Sequence, residues 1–286
     1  MSPLGTYPNL FDGQGDNYTT DDGYARNTLS MAVKMRSALA RIAAKARKLA
    51  GRPAVVLTLP IRISKPDGTR ILVLAPHPDD EAIGCGGTLH NHALAGDQVV
   101  VAVMTDGRQG EAFCAERGRS LVERRKREAE QVCALLDVSE LIFLDHPDSL
   151  LSSRPSAVDE LKTLLERLQP DTLYVPSFLD AHTDHRATFD IAASAVEQYG
   201  NDLMVYIYEV WSPIPANCVV EIDIAKKVEL IRCYESQLDD AAQFEVASRN
   251  LAKFRAISNL LGAESSAECF WRCTANEYVM LANDVR

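Results

Sequence analysis

The chain has 286 residues, a formal net charge of −10, and the charged and apolar fractions of an ordinary globular protein. That length can bury a large core, as one domain with an appendage or as two small ones. The acidic balance argues against a general nucleic-acid binder, which needs a basic surface, and no apolar run approaches the roughly eighteen residues of a membrane span. Residues 1–17 are polar, with Gly and Pro and no charged-then-apolar leader, so the cytoplasm is the expected compartment. Seven cysteines without a CxxC pair read as reduced thiols, and Cys269 and Cys273 as structural.

Residues 1–28 are rich in Gly, Asn, Asp and Thr and lack periodicity, which predicts a loop-like arm. Residues 30–50 predict a basic amphipathic helix, with Met31, Met35, Leu39 and Ile42 interleaved with Lys34, Arg36, Arg41 and Lys45. Its apolar face is Ala-rich and lacks Trp or Phe anchors, which favours packing on the protein over a membrane surface. An extra strand is expected within 55–63, then a turn at Pro66-Asp67-Gly68. From Arg70 strands and helices alternate. Strands are expected at 71–74, 98–104, 141–144, 172–175, 204–210 and 219–224, and helices at 88–96, 120–136, 157–168 and 225–238. The alternation predicts an α/β, Rossmann-like layered domain with a mainly parallel sheet over 70–286, preceded by the arm and helix of 1–69.

The densest chemistry follows the strand Ile71-Leu72-Val73-Leu74, in Pro76-His77-Pro78-Asp79-Asp80-Glu81. Pro76 and Pro78 stop the strand, and Gly84, Gly86 and Gly87 suggest a tight turn into the next helix. One imidazole and three carboxylates lie where α/β folds place their chemistry. His77 and Asp80, three apart, suit one metal ion, which leaves Asp79 to handle a proton. The plainer alternative is a helix cap, but capping needs one acid rather than three and a His. Polar clusters also end the strands before residues 105–111, 145–148 and 176–185. Parallel neighbours would open all four loops on one sheet edge.

Pro76-His77-Pro78-Asp79-Asp80-Glu81 resembles the signature of the PIG-L/LmbE family of zinc-dependent N-deacetylases, which act mainly on N-acetylglucosaminyl compounds. The family's second motif, His-x-Asp-His, is matched by His182-Thr183-Asp184-His185. The resemblance covers roughly residues 70–240 and implies one Zn²⁺ per chain on His77, Asp80 and His185, although other divalent ions suit such a site. It implies Asp79 as general base, a cationic His182 as oxyanion stabiliser, and Asp184 to orient His182 or raise its pKa. It also implies Arg125, three residues before Glu128, and Asp148 as sugar contacts. Pro76 departs from the family, which usually has a small residue before the His.

The expected activity is hydrolysis of the N-acetyl group of an amino sugar or its glycoconjugate. The expected partner is that small molecule, with no nucleic acid and no integral membrane segment; a homo-oligomer is left open. A second expectation is a metal-dependent hydratase of an unsaturated carboxylated compound, for which the cations Arg124, Arg125, Lys126 and Arg127 would hold the carboxylate. A sugar-binding scaffold on a retired fold would show a decayed site, and here both motifs are intact.

Overall fold

The computed structural model describes residues 60–110, 118–151, 155–237 and 242–286, all in a compact unit running Leu59–Arg286. The arm and helix expected over 1–50, and residues 55–59 of the early strand, lie outside the described residues. The elements are β1 (Ile61–Ile63), β2 (Arg70–Ala75), α1 (Asp80–Ala95), β3 (Gln98–Thr105), α2 (Gly118–Leu135) and β4 (Glu140–His146). There follow α3 (Pro155–Leu168), β5 (Thr172–Pro176), α4 (Thr183–Tyr199), β6 (Met204–Tyr208) and β7 (Cys218–Glu221). The chain goes on through α5 (Ile224–Arg232), α6 (Ala242–Ser258), β8 (Ala267–Thr274) and α7 (Ala275–Val285).

All eight strands form one sheet in the order β1-β7-β8-β6-β5-β2-β3-β4. Every pairing is parallel except the two made by β8, which runs antiparallel to both β6 and β7. The β-branched and leucine runs of β2 and β3 fit strands buried on both faces. Their alternation divides the core: Ile71, Val73 and Ala75 face the layer holding α1, α2 and α5. Leu72 and Leu74 face the layer holding α3, α4 and α7. Each fully buried aliphatic side chain contributes roughly 1.5–3 kcal/mol, so the strand that carries the first motif is anchored from both sides. Because β1 pairs with β7, the sheet takes in residues before the expected boundary at Arg70.

One expectation is corrected. The glycines after the first motif do not turn the chain; Gly84, Gly86 and Gly87 lie inside α1, which begins at Asp80. Their purpose is close approach. A Cβ on Gly84 would stand 2.3 Å from the Tyr208 ring, and one on Gly87 would stand 2.7 Å from Ile222. Tertiary contact thus overrides the poor helix propensity of glycine. The stretch after residue 242, given no elements above, supplies two helices and the antiparallel strand. No helix among the described residues is long and apolar enough to cross a membrane.

From β2 the chain moves outward to β3 and β4, then returns through α3 to β5 on the other side of β2. The strand order therefore reverses between β2 and β5. In open parallel sheets the crevice at such a switch point is the ligand site, and here both motifs flank it.

Candidate active site

The first motif leaves β2 and enters α1 with Asp79 at the N-cap position. Asp79 has φ 134° and makes no side-chain capping bond. A non-glycine residue there is strained, and strain of this kind clusters at functional sites. Its carboxylate turns instead to Arg125, whose Nη2 donates to Asp79 Oδ2 at 3.0 Å. The same guanidinium donates to the carbonyls of Pro78 at 2.7 Å and Gly107 at 2.8 Å. The simple capping alternative therefore fails for Asp79. Burial lifts the Asp79 pKa to about 7 against the opposing pull of the Arg125 charge.

Asp80 opens α1 and is fully enclosed. Its Oδ2 lies 3.1 Å from His77 Nδ1 and 3.2 Å from His185 Nε2. One carboxylate oxygen thus joins the two motifs. On the far side of His77, Nε2 lies 3.2 Å from both Asp148 Oδ1 and Asp184 Oδ2. Burial would depress the His77 pKa, but Asp148, Asp184 and Asp80 together hold it well above the usual value. His185 is treated likewise: burial opposes, yet Asp80 and Asp180 raise it to about 9. These carboxylates demand compensating positive charge.

The second motif follows β5 and opens α4. His182 is the N-cap of α4, and its Nδ1 accepts the backbone N–H of Asp184 at 3.2 Å. The remaining proton of a neutral ring is then on Nε2. Burial, followed by the charges of His77 and His185, pulls the His182 pKa below its ordinary value. Both the Nδ1 contact and the lowered pKa favour the neutral ring over the expected cation. Asp184 acts on His182 in the expected sense, since its charge works to raise that pKa, but its carboxylate has other direct partners. Its carboxylate accepts the N–H groups of Ser149 at 2.7 Å and Leu151 at 3.1 Å and meets His77, not His182.

Asp148 is buried and accepts the N–H of Gln109 at 2.9 Å. It faces a cleft of about 120 Å³ lined also by His77, Asp79, Arg125, His182, Trp211 and Gln237. Arg125 reaches that cleft with both Nη groups engaged by Asp79 and two carbonyls, and with its buried Nε unpartnered. Its neighbours are occupied as well: Arg124 Nε donates to Glu128 at 3.0 Å, Lys126 pairs with Asp145, and Arg127 is exposed. Glu128 accepts the N–H and hydroxyl of Ser236. The cation cluster invoked for a hydratase does not present a spare fork to the cleft.

Three residues of the site escape the sequence reading. Asp180 accepts the N–H groups of His182 and Trp211 and stands 3.3 Å from His185 Nδ1. Trp211 lines the cleft from the loop after β6, and Gln237 from a 3-10 turn, Glu235–Gln237, after α5, which ends at Arg232 short of the helix expected over 225–238. Only the position of Asp180, two residues before the second motif, offered a signal.

The donor set fits a metal ion. Ring nitrogens of His77, His182 and His185 lie within 4.8 Å of one another, and His77 and His182 form a second such group with Asp148 and Asp184. Both ring nitrogens of His185 are sealed from solvent without a hydrogen bond of acceptable geometry, although carboxylate oxygens stand near each. A buried polar atom left so is costly unless something else satisfies it. Neutral imidazole and carboxylate are ordinary zinc ligands, and carboxylates behind them fix the rings.

Residues 72–196, which include both motifs, match the family model described as PIG-L, GlcNAc-PI de-N-acetylase. The diacetylchitobiose deacetylase of Thermococcus kodakarensis is 30% identical over 152 residues, covering 51% of this chain and 57% of that protein. The 1D-myo-inositol 2-acetamido-2-deoxy-alpha-D-glucopyranoside deacetylase of Corynebacterium glutamicum is 27% identical over 256 residues, covering 68% and 87%. The N,N'-diacetylchitobiose deacetylase of Pyrococcus horikoshii has the same fold, with a TM-score of 0.68 and 27% identity over 74% of this chain and 86% of that one. The chain thus spans little more than half of the Thermococcus relative.

Proposed function

We propose that this chain, which carries a PIG-L family domain, is a metal-dependent amidohydrolase that removes the N-acetyl group of an N-acetylglucosaminyl-type compound. The observation that carries the proposal is the meeting of His77 Nδ1 and His185 Nε2 at Asp80 Oδ2, with Asp79 alongside. The deacetylase relatives support the substrate class.

We assign His77, Asp80 and His185 to hold the ion, with zinc the best match to two imidazoles and one carboxylate. A bound ion would polarise the amide carbonyl and bring a water to a pKa of about 7. Asp79 takes a proton from the attacking water at its carboxylate and returns it to the leaving nitrogen. Its raised pKa suits both tasks, because a base poised near neutrality can also act as an acid. Arg125 holds Asp79 in place. His182 donates its Nε2 proton to the oxygen that gains negative charge. Asp148 is the group available for sugar hydroxyls, and Asp184 and Asp180 hold the rings of His77 and His185.

The test is release of acetate and free amine from a panel of N-acetylglucosamine conjugates, after chelation and metal restoration. Asp79→Asn should retain bound metal and lose at least about a hundredfold in kcat, the smaller end of general acid–base contributions. Activity that survives in that variant would remove Asp79 from the mechanism. Release that ignores chelation would remove the metal.

A further inference from the structure

A cavity of about 240 Å³ lies beside the catalytic cleft, walled largely by apolar groups that include Ile83, Trp211, Phe244, Leu251 and Ala252. It exceeds the roughly 150 Å³ of an engineered apolar cavity that accepts benzene. Trp211 belongs both to its wall and to that of the cleft. A small void of about 10 Å³ is lined by Asp79, Ile83, Gln237 and Phe244 among others. Asp79 and Gln237 are shared with the cleft, Ile83 and Phe244 with the cavity.

Charged side chains reach the cavity wall, but each is already compensated. Lys227 Nζ donates to Glu268 Oε1 at 2.6 Å. Glu268 further accepts the N–H groups of Gly87 and Thr88 and the Thr88 hydroxyl. Glu209 accepts from Arg255 Nε at 2.9 Å and from the N–H of Ile214 at 3.0 Å. Nothing here selects an ion. A pocket of this character favours an uncharged apolar occupant. The cleft is also lined by Gln109 and Asp148, which are absent from the cavity wall and suit hydroxyl groups.

We propose that this cavity receives the acyl chain of the scissile amide, so that preferred substrates carry an N-acyl group longer than acetyl on the amino sugar. The inference rests on the hydrolase reading above. A carbonyl carbon presented to Asp79, with the sugar against Gln109 and Asp148, directs its alkyl substituent past Asp79 toward Ile83 and Phe244. Water adds to that carbon, the C–N bond breaks, and a fatty carboxylate and the free amine leave. The balance is that of acetate release.

The experiment measures kcat/KM of the metal-loaded protein on glucosamine bearing N-acetyl, N-butanoyl, N-hexanoyl and N-octanoyl groups. N-acetylglucosamine with an octyl chain at its anomeric carbon is run in parallel. Each methylene buried should raise kcat/KM about fourfold. In Ala247→Trp, which fills the cavity from an exposed position on α6, the hexanoyl-to-acetyl ratio should fall towards one. A flat or falling series in the wild type, or a gain only from the anomeric octyl chain, overturns the proposal. If no amide is cleaved, the hydrolase reading fails and the cavity is judged alone by calorimetric binding of octanoate. Binding that Ala247→Trp abolishes supports a fatty-chain site, and no binding to either protein overturns it.

Discussion

Replacing Arg125 by methionine separates two roles that a buried arginine beside a sugar hydrolase site can play. Its guanidinium serves Asp79 Oδ2, Pro78 O and Gly107 O at 2.7 to 3.0 Å, and both members of the pair are buried, at 4% and 12% side-chain exposure. Methionine keeps much of the volume and removes the charge. Breaking a buried pair by deleting one partner costs roughly 3–5 kcal/mol unless the remaining charge is neutralised. Asp79 has that escape, because burial already lifts it to about 7. Without Arg125 it takes up its proton at higher pH, and each further pKa unit removes about nine-tenths of the basic form at a pH below the shift. The expected result is a kcat lower by about 10²- to 10³-fold, an acid limb displaced to higher pH, and KM nearly unchanged. Arg125→Lys should fall between, since an ammonium keeps the charge but not the fork. The assay is the pH dependence of kcat and KM for the metal-loaded variants, with thermal unfolding to account for the two orphaned carbonyls. A raised KM with kcat and its pH profile unmoved would mean that Arg125 grips substrate, and the positioning argument would be wrong.

Asp184→Asn should weaken the hold on His77 and lower metal affinity by about 10- to 100-fold, read by competition with a chromophoric chelator; unchanged affinity would show that Ser149 and Leu151 alone need that carboxylate. Gly84→Ala places a Cβ 2.3 Å from Tyr208 and should destabilise by about 1–3 kcal/mol despite the better helix former, so a gain in urea-melt stability would contradict the close packing. His92, enclosed between Asp97 and the Tyr174 hydroxyl at 2.8 Å each, is held below its usual pKa of 6.5 chiefly by burial. Its neutral ring therefore contributes stability that is full above about pH 6.5 and lost as pH falls through the folded value, where the unfolded chain binds the extra proton. His92→Gln should flatten the pH 7-to-5 slope of unfolding free energy by up to about 1.4 kcal/mol per unit, and an unaltered slope would place the acid sensitivity elsewhere.

The sheet was legible where the chain is monotonous. The runs ending at Leu74, Met104 and Val175 announce buried parallel strands, because no half-exposed strand tolerates such continuous apolarity. The Gly84–Gly87 region was misread because propensity is local, whereas the reason for those glycines is Tyr208 and Ile222, more than a hundred residues away. β8 carried no clear signal: Glu268 and Arg272 interrupt its apolar run, and their partners come from α1, α5, β6 and a turn before β2. At the site, the motif residues could be listed from the chain but not aimed. The resemblance implied that Asp184 serves His182; in the fold His182 takes the backbone N–H of Asp184 and feels its charge, while the carboxylate also lies against His77. Trp211 sits in a loop without a pattern, and Gln237 in a 3-10 turn where a helix was expected, so only the fold brings them to the cleft.

The antiparallel strand has a consequence for how the protein comes into being. β8 sits between β6 and β7, yet it is made about 60 residues after β6 ends. During synthesis the parallel half of the sheet, β2 to β6, is complete while β6 still presents an unpaired rim. The β1–β7 pair meets that half only through β8. Such a rim is a template for foreign strands, and domains emerge from the ribosome at only about 5–20 residues per second. The nascent chain therefore passes several seconds with its widest gap open, and β8 closes it like a keystone set last.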